Sequence, residues 1–339
     1  MSKTSHSPKS YNNKYGVPLS LFNLKHEDDF GVIEVGMDKK GEINNLTKII
    51  KPDLGIITNI SYAHSKNFKN INQIADAKAE IMNNIKNGGT IVLNMDDDFY
   101  NYHKNLALKK KLKVISFSIL NKFSMVKLVK VKKIKNKYEL FININNKVIS
   151  FYSRNINKSN LYNILATLAS INMYADINNL KKNTFLNFKI PKGRGDISKI
   201  KFKSKNIFLV DESYNSNPLS LRTAIENYNM IKLKNSKKYL ILGDMLELGK
   251  HSVKQHRLIS KIINKTKINQ VYVIGKYIKE TFKNLKPNKK AKILNNKFDI
   301  INLINNELDN NDYLMIKGSK STGLHNITGD LKQRSSNVI

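Results

Sequence analysis

Polar side chains interrupt or follow the short apolar runs of this sequence, at positions where an open α/β sheet places its ligands. Glu34 lies inside the apolar run Gly31–Val35, and an acid within a buried strand is costly unless it is paired or bound to a metal. His64 follows the apolar run Leu54–Ile60, and Lys78 stands between two alanines. The simplest interpretations are a salt-bridged carboxylate, an exposed histidine and a surface lysine. The sharper interpretation of Glu34 is a ligand for a hard cation.

Three apolar runs in the second half of the chain also lead into polar segments. These segments are Asp211–Pro218, Gly243–Gly249 and Lys317–Lys320. Each of them alone is compatible with a capped turn. Because the carboxyl ends of parallel strands meet at one edge of a sheet, the three together predict a functional crevice.

The elements that position these residues are predicted from the alternation of short apolar runs with amphipathic ones. This alternation is typical of parallel sheets covered by helices. In the first half, the predicted strands are Gly31–Val35, Leu54–Ile60, Thr90–Asn94 and Lys113–Phe117, the predicted helices are Ile71–Lys86 and Leu161–Tyr174, and residues 120–152 are predicted to form a hairpin. The acids Asp96–Asp98 follow the third strand and are compatible with metal binding or with the start of a helix.

A domain boundary is predicted near residues 189–196, because Pro191, Gly193 and Gly195 break both periodicities. The alternation then restarts as a second α/β domain. Its predicted strands are Ile207–Val210, Tyr239–Leu242, Gln270–Ile274 and Tyr313–Ile316, and its predicted helices are Pro218–Met230, Val253–Asn264, Ile278–Leu285 and Phe298–Leu308. Residues 331–339 are predicted to be a tail.

The composition excludes several classes of protein. The chain has 339 residues, with 59 Lys plus Arg against 26 Asp plus Glu, and a formal charge of +33. Without cysteine it has no disulfide, thiolate nucleophile or Cys-ligated zinc, and no apolar run reaches the ~18 residues of a membrane helix. Only five basic residues are Arg while 48 residues are Asn, so A/T-rich codons explain the charge better than a nucleic-acid ligand does. A cytoplasmic protein that neither inserts into membranes nor binds nucleic acid is expected.

The polar segments, taken in order, resemble the Mur ligase family, in the branch that joins D-alanyl-D-alanine to UDP-N-acetylmuramoyl-tripeptide. The resemblance extends from near residue 10 to near residue 320. The matching stretches are Asn12–Leu19, Val32–Met37, Gly41–Ile43, Ile57–His64, Ile74–Ile81, Asn160–Asn163, Gly193–Arg194, Asp211–Pro218, Leu242–Gly249 and Lys317–Ser319. No single motif is decisive, but the ordered series is specific, and the segments after residues 210 and 241 favour this branch.

The resemblance implies an ATP-dependent ligase that uses Mg²⁺. ATP would phosphorylate the carboxylate of the UDP-linked tripeptide, and the amine of D-alanyl-D-alanine would attack the acyl phosphate. By the same resemblance Lys78, His64 and Arg194 are catalytic, and the magnesium ligands are Glu34, His64 and a carbamylated Lys78. The implied nucleotide contacts are Asn163, Arg194, Asp211, Tyr214 and Asn215, and the implied substrate contacts are Asn12, Asn13 and Lys317.

The sequence departs from the family pattern in one major respect. The family's glycine-rich phosphate loop, which ends in Gly-Lys-Thr/Ser, has no counterpart in the printed sequence, and neither has its UDP-binding domain. Smaller departures are Glu212 in place of a second Asp, Ser159 in place of a His, and Lys320 in place of an Arg.

The resemblance predicts an α/β fold in two parts. Residues 1–192 are expected to form an incomplete Mur ligase central parallel-sheet ATPase domain, without its first strand and phosphate loop. Residues 193–330 are expected to form a Rossmann-like C-terminal α/β domain, followed by a tail at 331–339. We expect a fragment that is inactive alone and a monomer when complete. The alternatives are a non-catalytic binding protein of the same fold and a related ligase with another amino-acid acceptor.

Overall fold

The structure is a computed structural model that describes residues 2–63, 65–233 and 235–336. Its contacts divide the chain into two compact units. Unit 1 comprises residues 1–60 and 67–188, and unit 2 comprises residues 61–66 and 189–339. The sequence predicted a division at 192/193 and assigned residues 61–66 to the first part, whereas these six residues belong to unit 2.

Unit 1 contains a small two-stranded sheet and a larger six-stranded one. Its elements are β1 (Thr4–His6), α1 (Gly16–Phe22), β2 (Phe30–Val32), α2 (Glu42–Ile50), β3 (Leu54–Ile57), α3 (Ile71–Ala79), β4 (Thr90–Asn94), α4 (Tyr100–Lys109), β5 (Lys113–Ser118), β6 (Val126–Ile134), β7 (Lys137–Ile144), β8 (Lys147–Ser153) and α5 (Lys158–Ile171).

The larger sheet of unit 1 has the strand order β3-β4-β5-β6-β7-β8. Strands β3 to β6 are parallel, whereas β7 and β8 are antiparallel to their neighbours. The predicted hairpin of residues 120–152 is therefore a continuation of this sheet. Its turn at Asn145 and Asn146 has φ angles of 50° and 68°, which is the left-handed conformation that asparagine tolerates in tight hairpin turns.

Helix α5 covers one face of this sheet. Its buried residues Leu161, Leu165 and Leu168 recur at helical spacing, and they pack in one core with strand residues such as Phe117 and Ile142. Burying one apolar stripe of a helix against a sheet is the main source of stability for such a layer.

The predicted buried strand Gly31–Val35 is corrected by the structure. Only Phe30–Val32 is a strand, and all three of its residues are exposed. It pairs with β1 alone, in a sheet separate from the six-stranded one. The apolar run therefore reflects an edge of unit 1 and not an inner strand, and Glu34 is exposed as well.

Unit 2 is a six-stranded sheet with helices on both faces. Its elements are β9 (Asp196–Phe202), β10 (Lys205–Asp211), α6 (Pro218–Met230), β11 (Lys238–Gly243), α7 (Ser252–Ile263), β12 (Gln270–Ile274), α8 (Lys279–Lys283), β13 (Lys290–Ile293), α9 (Lys297–Asn306), β14 (Tyr313–Lys317) and α10 (Leu324–Ser336). The strand order is β13-β12-β11-β14-β10-β9, and every pair is parallel except β10 with β9.

The inner strands of unit 2 send alternate residues into two cores. In β11, Tyr239 and Ile241 join the core that also contains residues of α9 and α10, while Leu240 and Leu242 join the core on the opposite face. A strand buried on both faces reads as a continuous apolar run, which explains why the sequence predicts these strands well.

The predicted tail is also corrected. Helix α10 continues through Ser336, and Leu331 is buried in a core of unit 2. No helix in the described ranges is long and apolar enough to cross a membrane.

Candidate active site

A loop of unit 1 brings two predicted site residues together. Asn12 Nδ2 donates to Glu34 Oε1 at 2.7 Å, and the Gly36 amide donates to Asn12 O at 2.7 Å. A Cβ at Gly36 would lie 2.9 Å from the Asn12 side chain, so the close approach suits a glycine. Asn13 Oδ1 accepts from the amide of Gly16 at 3.0 Å, and thus holds the start of α1. The carboxylate of Glu34 is exposed, and the amide of Asn12 is half-buried, so the carboxylate can meet a ligand.

Lys78 lies near the carboxyl ends of β3 and β4. Its Nζ donates to Asn59 O at 3.0 Å, in the loop directly after β3. Asp97, after β4, accepts from the Ile60 amide at 2.7 Å and supports the same loop. Burial lowers the pKa of Lys78, and the charge of Asp97 opposes this effect only in part. Burial therefore makes the ammonium form of Lys78 less favourable than that of an exposed lysine.

Two acids of unit 1, Glu80 on the helix of Lys78 and Asp96 after β4, have structural partners. Glu80 accepts from the amides of Gly41 and Asn44 at 2.7 and 3.1 Å, so its carboxylate caps the start of α2. Asp96 accepts from Ile119 and from the hydroxyl of Tyr162. Asp96 and Asp97 thus hold loops of unit 1, a role that the sequence did not predict for the acidic run after β4.

The contacts of the described residues do not bring the predicted magnesium ligands together. His64 lies outside the described residues. In the ranges that the structure covers, no group of three His, Asp or Glu residues is placed to hold a metal ion, and no hydrogen bond joins Glu34 to Lys78. Tyr62 belongs to unit 2, where the centre of its ring lies 5.1 Å from that of His251, with the two rings inclined at 50°.

In unit 2, polar residues cluster where β10 and β14 end. Lys317, the last residue of β14, is 2% exposed, and its Nζ donates to Asn215 O at 3.0 Å and pairs with Glu212 Oε2 at 3.3 Å. Burial lowers the pKa of Lys317 and raises that of Glu212, and each charge opposes the shift of the other. The ammonium therefore faces the loop after β10 and not solvent.

In this cluster Arg194 is exposed and Tyr214 is half-buried. The guanidinium of Arg194 lies 4.4 Å from the centre of the Tyr214 ring, within cation–π range. The Tyr214 amide donates to Gly193 O at 3.1 Å, so the two loops are joined by backbone as well. Arg194 is exposed, and a planar guanidinium held over a ring is suited to binding an anionic group such as a phosphate.

Asp211 lies beneath this pair and is 4% exposed. Its Oδ1 accepts from the amide and hydroxyl of Ser213, and its Oδ2 accepts from Lys332 Nζ at 2.6 Å. Burial alone would raise the pKa of Asp211, but the hydrogen bonds from Lys332 and Ser213 outweigh burial and lower it.

The structure brings some of the predicted site residues together and not others. In unit 2 it unites Arg194, Asp211, Tyr214, Asn215 and Lys317 around one loop, and in unit 1 it unites Asn12 with Glu34. Asn163 is exposed on α5 of unit 1. The sequence did not identify Asp97 as a partner of Lys78, nor Lys332 as a partner of Asp211. The position of Asp97 after a strand was a signal that could have found it, whereas no signal pointed to Lys332.

Comparison with known families matches both halves of the chain. Residues 1–171 match the model of the Mur ligase middle domain. Residues 199–320 match the model described as "Mur ligase, glutamate ligase domain".

Two relatives of similar sequence carry the same name. The UDP-N-acetylmuramoyl-tripeptide–D-alanyl-D-alanine ligase of Rickettsia prowazekii is 30% identical over 322 residues, which cover 94% of this chain and 70% of the relative. The ligase of the same name from Bacillus subtilis is 25% identical over 326 residues, covering 95% and 68%.

Solved structures share the fold. MurF from Acinetobacter baumannii matches with a TM-score of 0.85 at 22% identity, over 98% of this chain and 71% of that one. The MurF ligase of Thermotoga maritima, solved in complex with ADP, matches with a TM-score of 0.82 at 20% identity, over 100% of this chain and 75% of that one.

Proposed function

This chain belongs to the Mur ligase family, and from that premise we propose that it catalyses the ATP-dependent addition of D-alanyl-D-alanine to UDP-N-acetylmuramoyl-tripeptide. The product is an amide bond of a peptidoglycan precursor, formed through an acyl phosphate. We expect the reaction to occur in the cytoplasm and the complete protein to be a monomer.

The environment of Lys78 carries this proposal. Carbamylation requires a neutral amine to attack carbon dioxide, and it releases one proton as the carbamate forms. Burial lowers the pKa of Lys78, so at a given pH more of it is neutral than of an exposed lysine. The hydrogen bond to Asn59 O holds the amine at the end of β3, where ligands of α/β sheets bind.

Mg²⁺ suits the oxygen donors that unit 1 would offer. Glu34 presents an exposed carboxylate that Asn12 orients, and a carbamate on Lys78 would supply further anionic oxygen, which a hard cation prefers to an amine. Bound magnesium would neutralise charge on the transferred phosphoryl group.

In unit 2, the exposed Arg194 and the half-buried Tyr214 are suited to binding a nucleotide. The guanidinium would meet phosphate oxygens, and the ring fixes its plane. Asp211 and Lys317 hold the loop that carries Tyr214 and Asn215. On this proposal these buried residues position the loop, and the direct contact of Lys317 with substrate stays a prediction.

A phosphate-release assay tests the proposal. The purified chain is mixed with ATP, Mg²⁺, UDP-N-acetylmuramoyl-tripeptide and D-alanyl-D-alanine, and the product is identified by mass spectrometry. The proposed reaction requires phosphate release that depends on all four components, together with a product heavier than the tripeptide by one dipeptide residue. Such turnover would also overturn the expectation that the chain is inactive alone. Controls omit each component in turn.

The alternatives give different results in the same assay. The printed sequence contains no Gly-Lys-Thr/Ser loop, and nucleotide binding without phosphate release would favour a non-catalytic binding protein. Turnover with another amino acid in place of D-alanyl-D-alanine would favour a related ligase.

A further inference from the structure

Two carboxylates of unit 2 face one ammonium group. Asp196 and Asp211 are directly opposite each other in the antiparallel pair of β9 and β10. Lys332 Nζ, from α10, donates to Asp196 Oδ2 and to Asp211 Oδ2, each at 2.6 Å. Like charges directly opposite across two strands are destabilising, so the position of this lysine between them has an electrostatic reason.

The second oxygen of each carboxylate holds a loop of the candidate site. Asp196 Oδ1 accepts from the Gly193 amide at 2.6 Å, and Asp211 Oδ1 accepts from the Ser213 amide at 3.0 Å. Gly193 precedes Arg194, and Ser213 precedes Tyr214. One ammonium group is thus connected, through a single carboxylate each, to the residues that directly precede the two members of the cation–π pair.

Helix α10 contributes a second contact on the same face. Thr328 lies four residues before Lys332, one helical turn away, and its hydroxyl is 3.0 Å from the Ser213 hydroxyl. The side chain of Lys332 is 24% exposed, whereas that of Asp211 is 6% exposed. An ion pair this sheltered is screened by solvent less than a surface pair is.

We infer that Lys332 is a positioning residue for the site, because it neutralises the Asp196–Asp211 pair and thereby fixes the loops that carry Arg194 and Tyr214. Lys332 acts on the pair through the two carboxylates. The inference rests on the proposed function only for what Arg194 and Tyr214 bind. Removing the ammonium leaves two facing carboxylates, one of them buried, so the loops lose their fixed acceptors.

Hydrogen–deuterium exchange in the full chain tests the inference without reference to activity. The Lys332→Met variant should lose at least about tenfold of the protection of the Gly193 and Ser213 amides. Lys332→Arg, which keeps the charge, should retain most of it. The matched control is Asp330→Asn, which removes the ion pair between α10 and Lys297 of α9 and should leave both amides protected.

A second variant separates charge from packing. In Asp196→Asn/Lys332→Met one of the two carboxylates is neutral, so protection should recover relative to Lys332→Met. Equal protection in wild type and Lys332→Met, or no recovery in the double variant, would overturn the inference. If Lys332→Met does not fold, the double variant decides, and its failure to fold would assign Lys332 to the stability of the whole unit instead.

Kinetics provide the functional readout. With the wild-type ligase active, Lys332→Met should raise the KM for ATP by about tenfold while kcat changes less, because the loops are misplaced but no reacting group is lost. A fall in kcat alone would contradict a positioning role. A wild-type chain without turnover would refute the proposed function, while the exchange result would still decide the role of Lys332.

Discussion

At the scale of single residues, Lys78 shows how local burial can prepare a side chain for chemistry. A surface lysine is protonated at neutral pH and reacts slowly with carbon dioxide. The Lys78 amine is instead directed at a backbone carbonyl in a sheltered loop, and burial lowers its pKa. The environment of Lys78 therefore differs from that of the many exposed lysines of this chain.

We predict that Lys78→Ala lowers ligase activity at least about 100-fold relative to wild type, since the proposed metal-binding group is lost. Adding a small carboxylate such as acetate should restore part of the activity, by supplying the missing oxygen donor. The control is Lys86→Ala, whose exposed ammonium forms a salt bridge with Asp53 and should be dispensable. Full activity of the Lys78 variant would eliminate the carbamate role.

His256 predicts a pH dependence of stability. The Met245 amide donates to its Nε2 at 2.9 Å, so Nδ1 carries the proton and donates to Ser252 O. Burial lowers the pKa of His256 below its ordinary 6.5. His256 therefore binds a proton at higher pH in the unfolded chain than in the folded chain. The stabilisation that neutral His256 contributes to the folded chain is complete above about pH 6.5 and is lost as the pH falls through the folded pKa.

Urea unfolding between about pH 5 and pH 8 measures this effect. The free energy of unfolding of the wild type should fall toward pH 5, and His256→Gln should show a shallower fall with a loss of about 1–3 kcal/mol at pH 8. Some slope should remain because His103, also buried, has a lowered pKa. Exposed His26→Gln is the control, and a pH profile of His256→Gln parallel to that of wild type would contradict the assignment.

At the scale of elements, two glycines of unit 2 separate backbone strain from steric contact. Gly193 and Gly323 both have a φ of 76°, but a Cβ on Gly193 would lie 3.0 Å from the Tyr214 backbone nitrogen, whereas nothing lies within 4 Å at Gly323. We predict that Gly323→Ala costs about 1 kcal/mol of unfolding free energy from the left-handed conformation alone. Gly193→Ala should cost about 1 kcal/mol more, because Tyr214 must shift. Equal losses of unfolding free energy for the two variants, measured with urea, would show that the loop carrying Tyr214 shifts without an energetic cost.

The elements that the sequence predicted well are those whose burial is uniform. Strands β10, β11, β12 and β14 are covered on both faces, and their apolar runs match the observed bounds within about two residues. Strand β9 and the short β13 lie at sheet edges, where a partly exposed strand leaves a weaker pattern. The run at 31–35 was predicted wrongly as a buried strand, because an apolar run in the sequence does not show whether another layer of helices or strands covers it.

The site was predictable to the extent that its residues follow strands. Asp211 and Lys317 end β10 and β14, so position alone brought them together. Lys332 is separated by 136 residues from Asp196 and by 121 from Asp211, and a lysine in a chain so rich in lysine gives no signal of its partner. Only the packing of α10 against the sheet reveals the pair.

At the scale of the whole molecule, the formal charge of +33 opposes folding, because it concentrates like charges in a compact volume. Several observed ion pairs, such as Lys86–Asp53, involve exposed groups, and each contributes only ~0.2–1 kcal/mol. With 59 basic residues against 26 acidic ones, most lysines must lack an acidic partner. Repulsion should therefore outweigh attraction at low ionic strength.

We predict that the free energy of unfolding rises when KCl increases from about 0.01 M to about 0.15 M, as the Debye length falls from ~30 Å to ~8 Å. The gain should exceed the ~0.2–1 kcal/mol of a single exposed ion pair, because many repulsive terms are screened at once. Urea is the suitable denaturant, since it carries no charge, and a neutral solute at matched osmolality is the control. A decrease in the free energy of unfolding over this range would contradict the prediction. It would mean that attraction in the ion pairs outweighs the repulsion among the excess lysines.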